Sequence, residues 1–533
     1  MDHLKKYPLL RILLLALLIT CLPILVAACS GDGTVTSTSP AEDPTQLVST
    51  SASEVRITES NLTTGPKQSL QTPSATADLV IATQPTIVNQ PMETPNSASG
   101  DTIMNAIWGI EMHNISNDGG LRPVADAGTD WIRRNALFWS DVEPQKGARN
   151  WDAIKDLEQE MINASAQGLE LILVVRRTPS WAQEIPGKYC GPIKPDEIGA
   201  FADFMGDVVA RYSIPPYNVK YWELGNEPDV DPSLVGDDNI FGCWGYMSDP
   251  FYGGGDYASV LEQVYPAVKA ANPAAQLLIG GLLMDCDPNN PPEIPAGSGE
   301  YKDCTPSRYL EGILSAGGGN YFDGVSFHAY DLYFGELGEY GNPNWNSSWD
   351  SSGPALSAKS LYIHYLLSKY GYQDKYLINS EVALICGSTG QEPVCLTEEF
   401  ELTKAYYAAQ IYPTAIAEGL RANIWYSIKG WRSSGLVTSE MYTLPVYDAY
   451  MFSAEQLAGV QLVGSLDFDS MLTGYEFRRE GGRVWIVWSR DKYQHRLQLP
   501  SEPDAVYDVF GSPLPVSIYV DVTLMPIYIE FSQ

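Results

Sequence analysis

The stretch "YWELGNEPDV", residues 221–230, begins like a buried strand, yet it places Glu223 and Glu227 four residues apart and closes on Pro228. Ionised carboxylates inside a strand are costly without partners. Alternation along a strand points Glu223, Gly225 and Glu227 to one side. Pro228 ends the ladder because it has no N–H to donate. An apolar strand that finishes on Asn226-Glu227 fits a (β/α)8 barrel, whose reactive groups sit where strands end. Glu227 then lies at the mouth. Glu223 lies deeper, as a structural acid paired with a buried arginine.

Outward from this strand the pattern repeats. Strand-like runs occupy 104–112, 129–138, 169–177, 219–227, 275–283, 322–330, 375–383 and 421–429. Helical periodicity lies between them, near 195–212, 256–271, 306–316, 355–370 and 399–418. In "WDAIKDLEQEMINASAQG", Trp151, Ile154, Leu157, Met161 and Ile162 share one helical face, and Gly168 stands where the helix should stop. About eight strand-then-helix units predict a (β/α)8 TIM barrel over 102–450. A doubly wound sheet is the alternative, but no GxGxxG follows the first strand. From 451 to 533 the rhythm is strands only, with a hairpin at Gly481–Gly482. This predicts a small β-sandwich accessory domain.

The net charge of -32 argues against nucleic acid as a partner, because a phosphate backbone would be repelled. Lys5, Lys6 and Arg11 precede an apolar run that ends "LVAACS". This reads as a lipoprotein signal over 1–29, with cleavage before Cys29 and lipid on its sulfur; an uncleaved membrane anchor is the alternative. Either places the protein outside the cytoplasm, with membrane contact only through the N-terminal lipid anchor, and a monomer is expected. Residues 30–101 are rich in Ser, Thr and Pro and free of aromatics, the composition of a disordered linker.

Of eight cysteines, Cys21 leaves with the signal and Cys29 takes lipid, which leaves six. An even number in an exported chain suggests disulfides. Among the connectivities open to them, the short-loop pairs Cys286–Cys304 and Cys386–Cys395, with Cys190–Cys243, are preferred. No Cys/His cluster suggests zinc.

The polar residues that end the strands are the candidate site. They are Glu111 with nearby His113, Arg133 or Arg134, Asn226 and Glu227, His328 and Tyr330, Glu381, and Trp425 and Tyr426 with Trp431 just beyond. Two carboxylates facing each other across a barrel mouth can cleave a glycosidic bond, one as acid and one as nucleophile. An arginine and a hydroxyl beneath the nucleophile would keep it ionised, and Arg133 and Tyr330 suit that role.

"WELGNEP", "WIRRNALFWSDVEPQKG", "TPSWA", "FHAY" and "INSE" together resemble clan A glycoside hydrolases, especially the family 39-like and family 5-like members. The resemblance implies that Glu227 is the acid/base and Glu381 the nucleophile. It implies that Asn226 binds the sugar 2-hydroxyl, that Tyr330 holds the nucleophile and that His328 lines the site. It matches Arg133 to the clan's strand-two arginine and makes Trp425 or Trp431 the sugar-stacking platform. It also implies retention of configuration and no metal or other cofactor. The expected function is a retaining β-glycosidase acting on poly- or oligosaccharides; the alternative is a non-catalytic carbohydrate-binding lipoprotein.

Overall fold

The computed structural model describes residues 86–88, 106–231, 242–294, 297–333, 345–347, 349, 353–468 and 471–532. The signal segment, Cys29 and most of the linker lie outside the described residues. Among the described residues, no helix is long and apolar enough to cross a membrane.

Eight parallel strands close on themselves. They are β1 (Trp108–Glu111), β2 (Trp131–Phe138), β3 (Glu170–Arg176), β4 (Tyr221–Asn226), β5 (Gln276–Leu282), β6 (Gly324–Tyr333), β7 (Tyr376–Cys386) and β8 (Ala422–Trp425). Each pairs with the next, and β8 returns to β1 through Asn423 opposite Trp108. Helices cover the outside, so both faces of each strand are buried and the strands read as near-continuous apolar runs. Helix Lys155–Ala166 buries Leu157, Met161 and Ala164. It stops at Gly168, whose φ of +71° only glycine adopts at little cost.

The barrel interior changes character from bottom to top. Trp131, Ile172, Tyr221, Leu278, Ile378, Ala422 and Ile424 form an apolar plug. Two residues on along the same faces, Trp131 gives way to Arg133 and Tyr221 to Glu223. The polar layer therefore begins one step above the plug, toward the strand ends.

The C-terminal strands are β9 (Gln461–Phe468), β10 (Leu472–Arg479), β11 (Gly482–Ser489), β12 (His495–Gln498), β13 (Ala505–Tyr507), β14 (Tyr519–Val522) and β15 (Ile527–Ser532). β9, β10, β11, β15 and β13 form one antiparallel sheet in that order, and β12 pairs with β14. Alternation on β11 divides its side chains. Trp485 and Val487 join Leu497, Val520 and Val522 inside the sandwich. Val484, Ile486 and Trp488 join the core shared with the barrel.

Two boundaries differ from expectation. Helix Pro445–Gln456 runs across position 450, because its buried Tyr450 stacks edge-on to Trp108 of the barrel. Within the stretch read as linker, Thr86–Val88 forms a strand antiparallel to β9. A sheet edge offers unpaired backbone groups to any passing segment, whatever its composition. The disulfides Cys190–Cys243, Cys286–Cys304 and Cys386–Cys395 form as expected.

Candidate active site

Arg133 stands at the centre of the polar layer with none of its surface exposed. Its Nη1 donates to Glu111 Oε2 and Glu381 Oε1, both at 2.5 Å. Its Nη2 donates to Glu223 Oε1 at 2.6 Å and Asn226 Oδ1 at 2.7 Å. Glu223 is thus the buried, arginine-paired acid that strand alternation predicts. Arg134 points the other way and pairs with Glu160 on helix Lys155–Ala166 at 2.6 Å. The strand-two arginine of the site is therefore Arg133. A guanidinium accepts no hydrogen bond, so Asn226 must turn Oδ1 toward it, which aims the amide nitrogen elsewhere.

Neither Asn226 nor Glu381 reaches the site by simple alternation. Gly225 has φ +85° and Glu227 φ +47°, so the end of β4 leaves the extended conformation and both Asn226 and Glu227 turn inward. On β7 the register with β6 shifts between the pairs Phe327–Asn379 and His328–Glu381. This bulge swings Glu381 inward although Ile378, three residues before it, also faces the plug.

Glu381 Oε2 accepts from the Tyr330 hydroxyl at 2.5 Å. Glu227 Oε1 lies 2.8 Å from His328 Nδ1, which is also 3.4 Å from Glu381 Oε2. One carboxylate oxygen of each glutamate and a ring nitrogen of His328 all lie within 4.8 Å of one another. Among the described residues this trio has the donor set for a cation. The Arg133 charge on Glu381 opposes a second cation there.

Burial pushes Glu227 up to about 7 and Glu381 up to about 7, and the Arg133 charge pulls both down. Two adjoining acids in one dry site resist ionising together. The direct donors from Arg133 and Tyr330 make Glu381 the group that loses its proton first. Burial lowers His328 to about 4, so its ring is neutral near pH 7. Its Nε2 is buried without a partner among the described residues. The single ring proton belongs on Nδ1, where it meets Glu227, since an orphaned buried N–H is costly.

The other candidates separate. Trp431 is 50% exposed, with its ring edge-on to Tyr330 at 6.2 Å. Trp425 is fully buried, and its Nε1 donates to the Ser434 carbonyl. Of the two tryptophans, only Trp431 can offer a face to a sugar; Trp425 as a platform is corrected. Glu111, expected at the substrate, is 2% exposed and lies beneath Arg133 as its partner. His113 sits on the exposed rim, edge-on to Tyr426 at 5.8 Å.

Tyr426 was among the strand-end candidates without a role, and Lys359 was not anticipated. Tyr426, next to Trp425, stands edge-on to Tyr330 at 6.1 Å and so forms a wall of the mouth. Lys359, on helix Ala355–Tyr370, donates to the carbonyls of Leu283 and His328, both at 2.7 Å. A lysine on the apolar face of "ALSAKSLYIHY" was the available signal.

The fold and site define a closed (β/α)8 barrel with paired acids at its mouth. No protein-family model matches the sequence, and no curated protein matches it. Solved structures do match. A family 39 glycoside hydrolase from the gut symbiont Bacteroides cellulosilyticus WH2 superposes with a TM-score of 0.60 at 18% identity, over 81% of each chain. The GH39 enzyme from Xanthomonas axonopodis pv. citri matches 80% of this chain and 94% of its own, with a TM-score of 0.51 at 12% identity. An alpha-L-arabinofuranosidase from Thermotoga maritima matches 81% of this chain and 98% of its own, with a TM-score of 0.51 at 12% identity. At such identities the likeness is one of fold, and function rests on the site.

Proposed function

We propose that the protein is a retaining glycoside hydrolase that cleaves β-glycosidic bonds of poly- or oligosaccharides by double displacement. The observation that carries this reading is the spacing of two buried glutamates, whose oxygens come within 4.8 Å. Retaining pairs stand about 5–5.5 Å apart, whereas direct attack by water needs about 6.5–9.5 Å.

Glu381, held ionised by Arg133 and Tyr330, attacks the anomeric carbon while Glu227 gives its proton to the departing oxygen. The C–O bond to the leaving sugar breaks as the bond to Glu381 forms. Ionised Glu227 then takes a proton from water, which displaces Glu381 with a second inversion. The His328 proton on Glu227 Oε1 leaves Oε2 to carry the acid proton. The Asn226 amide nitrogen serves the sugar 2-hydroxyl, and Trp431 supplies the stacking face. The Cys29 segment supports an exported, lipid-anchored location, which the acyl mass of the mature N-terminal peptide tests.

The test is Glu381→Ala with added azide on an activated aryl glycoside. The expected product is a glycosyl azide of inverted configuration. Full hydrolytic activity in that variant overturns the assignment.

A further inference from the structure

Glu227 holds a left-handed backbone, φ +47°, that residues with a side chain seldom adopt. Such a conformation costs about 1–3 kcal/mol and persists only where the surroundings enforce it. On one side its own N–H donates to the Gly281 carbonyl at 2.9 Å. The Asp229 carboxylate, 1% exposed, accepts from the N–H groups of Leu283 at 2.8 Å and Met284 at 2.9 Å. These bonds tie the end of β4 to β5.

On the other side lies the segment Gly242–Trp244. Gly242 N donates to the Asn226 carbonyl at 2.6 Å, and Trp244 N donates to the Pro228 carbonyl at 3.3 Å. A Cβ at Gly242 would stand 2.5 Å from Pro228 Cα, 2.6 Å from the Glu227 oxygen and 2.7 Å from the Asn226 oxygen. No side chain fits between this segment and the Asn-Glu-Pro backbone. Cys243, between the two contacts, is bonded to Cys190, and its N–H donates to the Cys190 carbonyl at 3.3 Å. Cys190 is itself fixed to the end of β3. Thr178 N donates to the Tyr189 carbonyl at 2.8 Å, and Thr178 Oγ1 donates to the Gly191 carbonyl at 3.1 Å.

We infer that Cys190, Cys243 and Gly242 are positioning residues for the general acid: the disulfide clamps the Gly242–Trp244 backbone onto Asn226–Pro228 and holds the Glu227 carboxyl where it can deliver its proton. The inference rests on the assignment of Glu227 as acid/base. Glu381 hangs from β7 and takes its aim from Arg133 and Tyr330, so the clamp serves one of the two acids.

That asymmetry provides the test. A 2,4-dinitrophenyl glycoside leaves without a proton, whereas a phenyl glycoside of the same sugar needs the acid. The variants are Cys190→Ser with Cys243→Ser, and Gly242→Ala, which keeps the disulfide but wedges the backbones apart. Both are expected to keep kcat/KM for the dinitrophenyl glycoside, which reports the first step alone, within about threefold of wild type and to lose about tenfold to hundredfold in kcat/KM on the phenyl glycoside. Wild-type kcat/KM on both substrates, or equal losses of kcat/KM on both, overturn the clamp. Glu227→Gln is run beside them and should show the same split, enlarged. If wild type cleaves neither glycoside, or Glu227→Gln shows no split, the assignment of the acid fails rather than the clamp.

Discussion

At the centre of the barrel, Arg133 gives two nitrogens to four side-chain acceptors on β1, β4 and β7. Behind the seam of β5 and β6, Lys359 gives its ammonium to two backbone carbonyls. Both cations are buried. A guanidinium fork shared among carboxylates bears on which of them carries charge, because a carboxylate can take up or lose a proton. An ammonium on carbonyls decides where strands lie, because carbonyls do not titrate. Burial lowers Lys359 to about 8, whereas its acids hold Arg133 well above its ordinary value. The front cluster touches the Glu381 carboxylate directly, whereas the rear one holds backbone and reaches Glu227 only through its charge.

The strongest way to break this contrast is Arg133→Lys. An ammonium cannot serve Glu111, Glu223, Glu381 and Asn226 together, and kcat/KM is expected to fall by roughly 10²–10³. The shorter, single-headed ammonium keeps the charge but gives up the direct donor to Glu381 Oε1, which weakens the pull on that carboxyl and moves the acid limb of the pH–rate profile to higher pH. An unmoved acid limb would contradict a role in setting the nucleophile's charge.

Lys359→Met should do the reverse. It leaves two buried carbonyls unpaired and is expected to destabilise the fold by about 3 kcal/mol, read in chemical denaturation. The acid limb should stay where it is. A shifted limb with wild-type stability would exchange the two roles.

Glu227→Gln sharpens the comparison through stability. Glu227 goes from an ordinary 4.5 to about 7 in the fold. A carboxyl raised on folding favours the fold fully below pH 4.5, and that contribution is lost as pH rises through about 7. The glutamine variant should therefore gain on wild type between pH 5 and 8, by up to roughly 3 kcal/mol, and the gain should vanish below pH 4.5. Melting curves across that range check it; a constant difference would contradict the burial argument.

The smallest effect is expected from Trp431→Ala, which removes an exposed ring from the rim. KM should rise by about threefold to tenfold with kcat and melting temperature unchanged. Unchanged KM would remove Trp431 from the sugar platform.

Much of this was legible in the chain. Strand ends rich in Asn, Glu, His and Tyr marked the mouth because such groups persist in apolar strands only where function or pairing compensates for burial. The pairing of Glu223 with an arginine followed from depth and alternation. The disulfides Cys286–Cys304 and Cys386–Cys395 followed from short loops. Trp425 misled because a tryptophan ending a strand reads the same whether it faces core or cleft. Lys359 went unassigned because its partners come from other elements, and Tyr426 was collected with the strand ends but given no role.

By itself the sequence determined the alternation of strands and helices, the apolar plug and the residue types gathered at the strand ends, since these depend on local periodicity and solvation. Only the tertiary structure chose Arg133 over Arg134, turned Asn226 through the left-handed Gly225 and swung Glu381 inward by a bulge on β7. A strand's period of two assigns faces only while the ladder stays regular. At this mouth the ladder breaks, and the direction of each of these side chains is set by the neighbours that hold it.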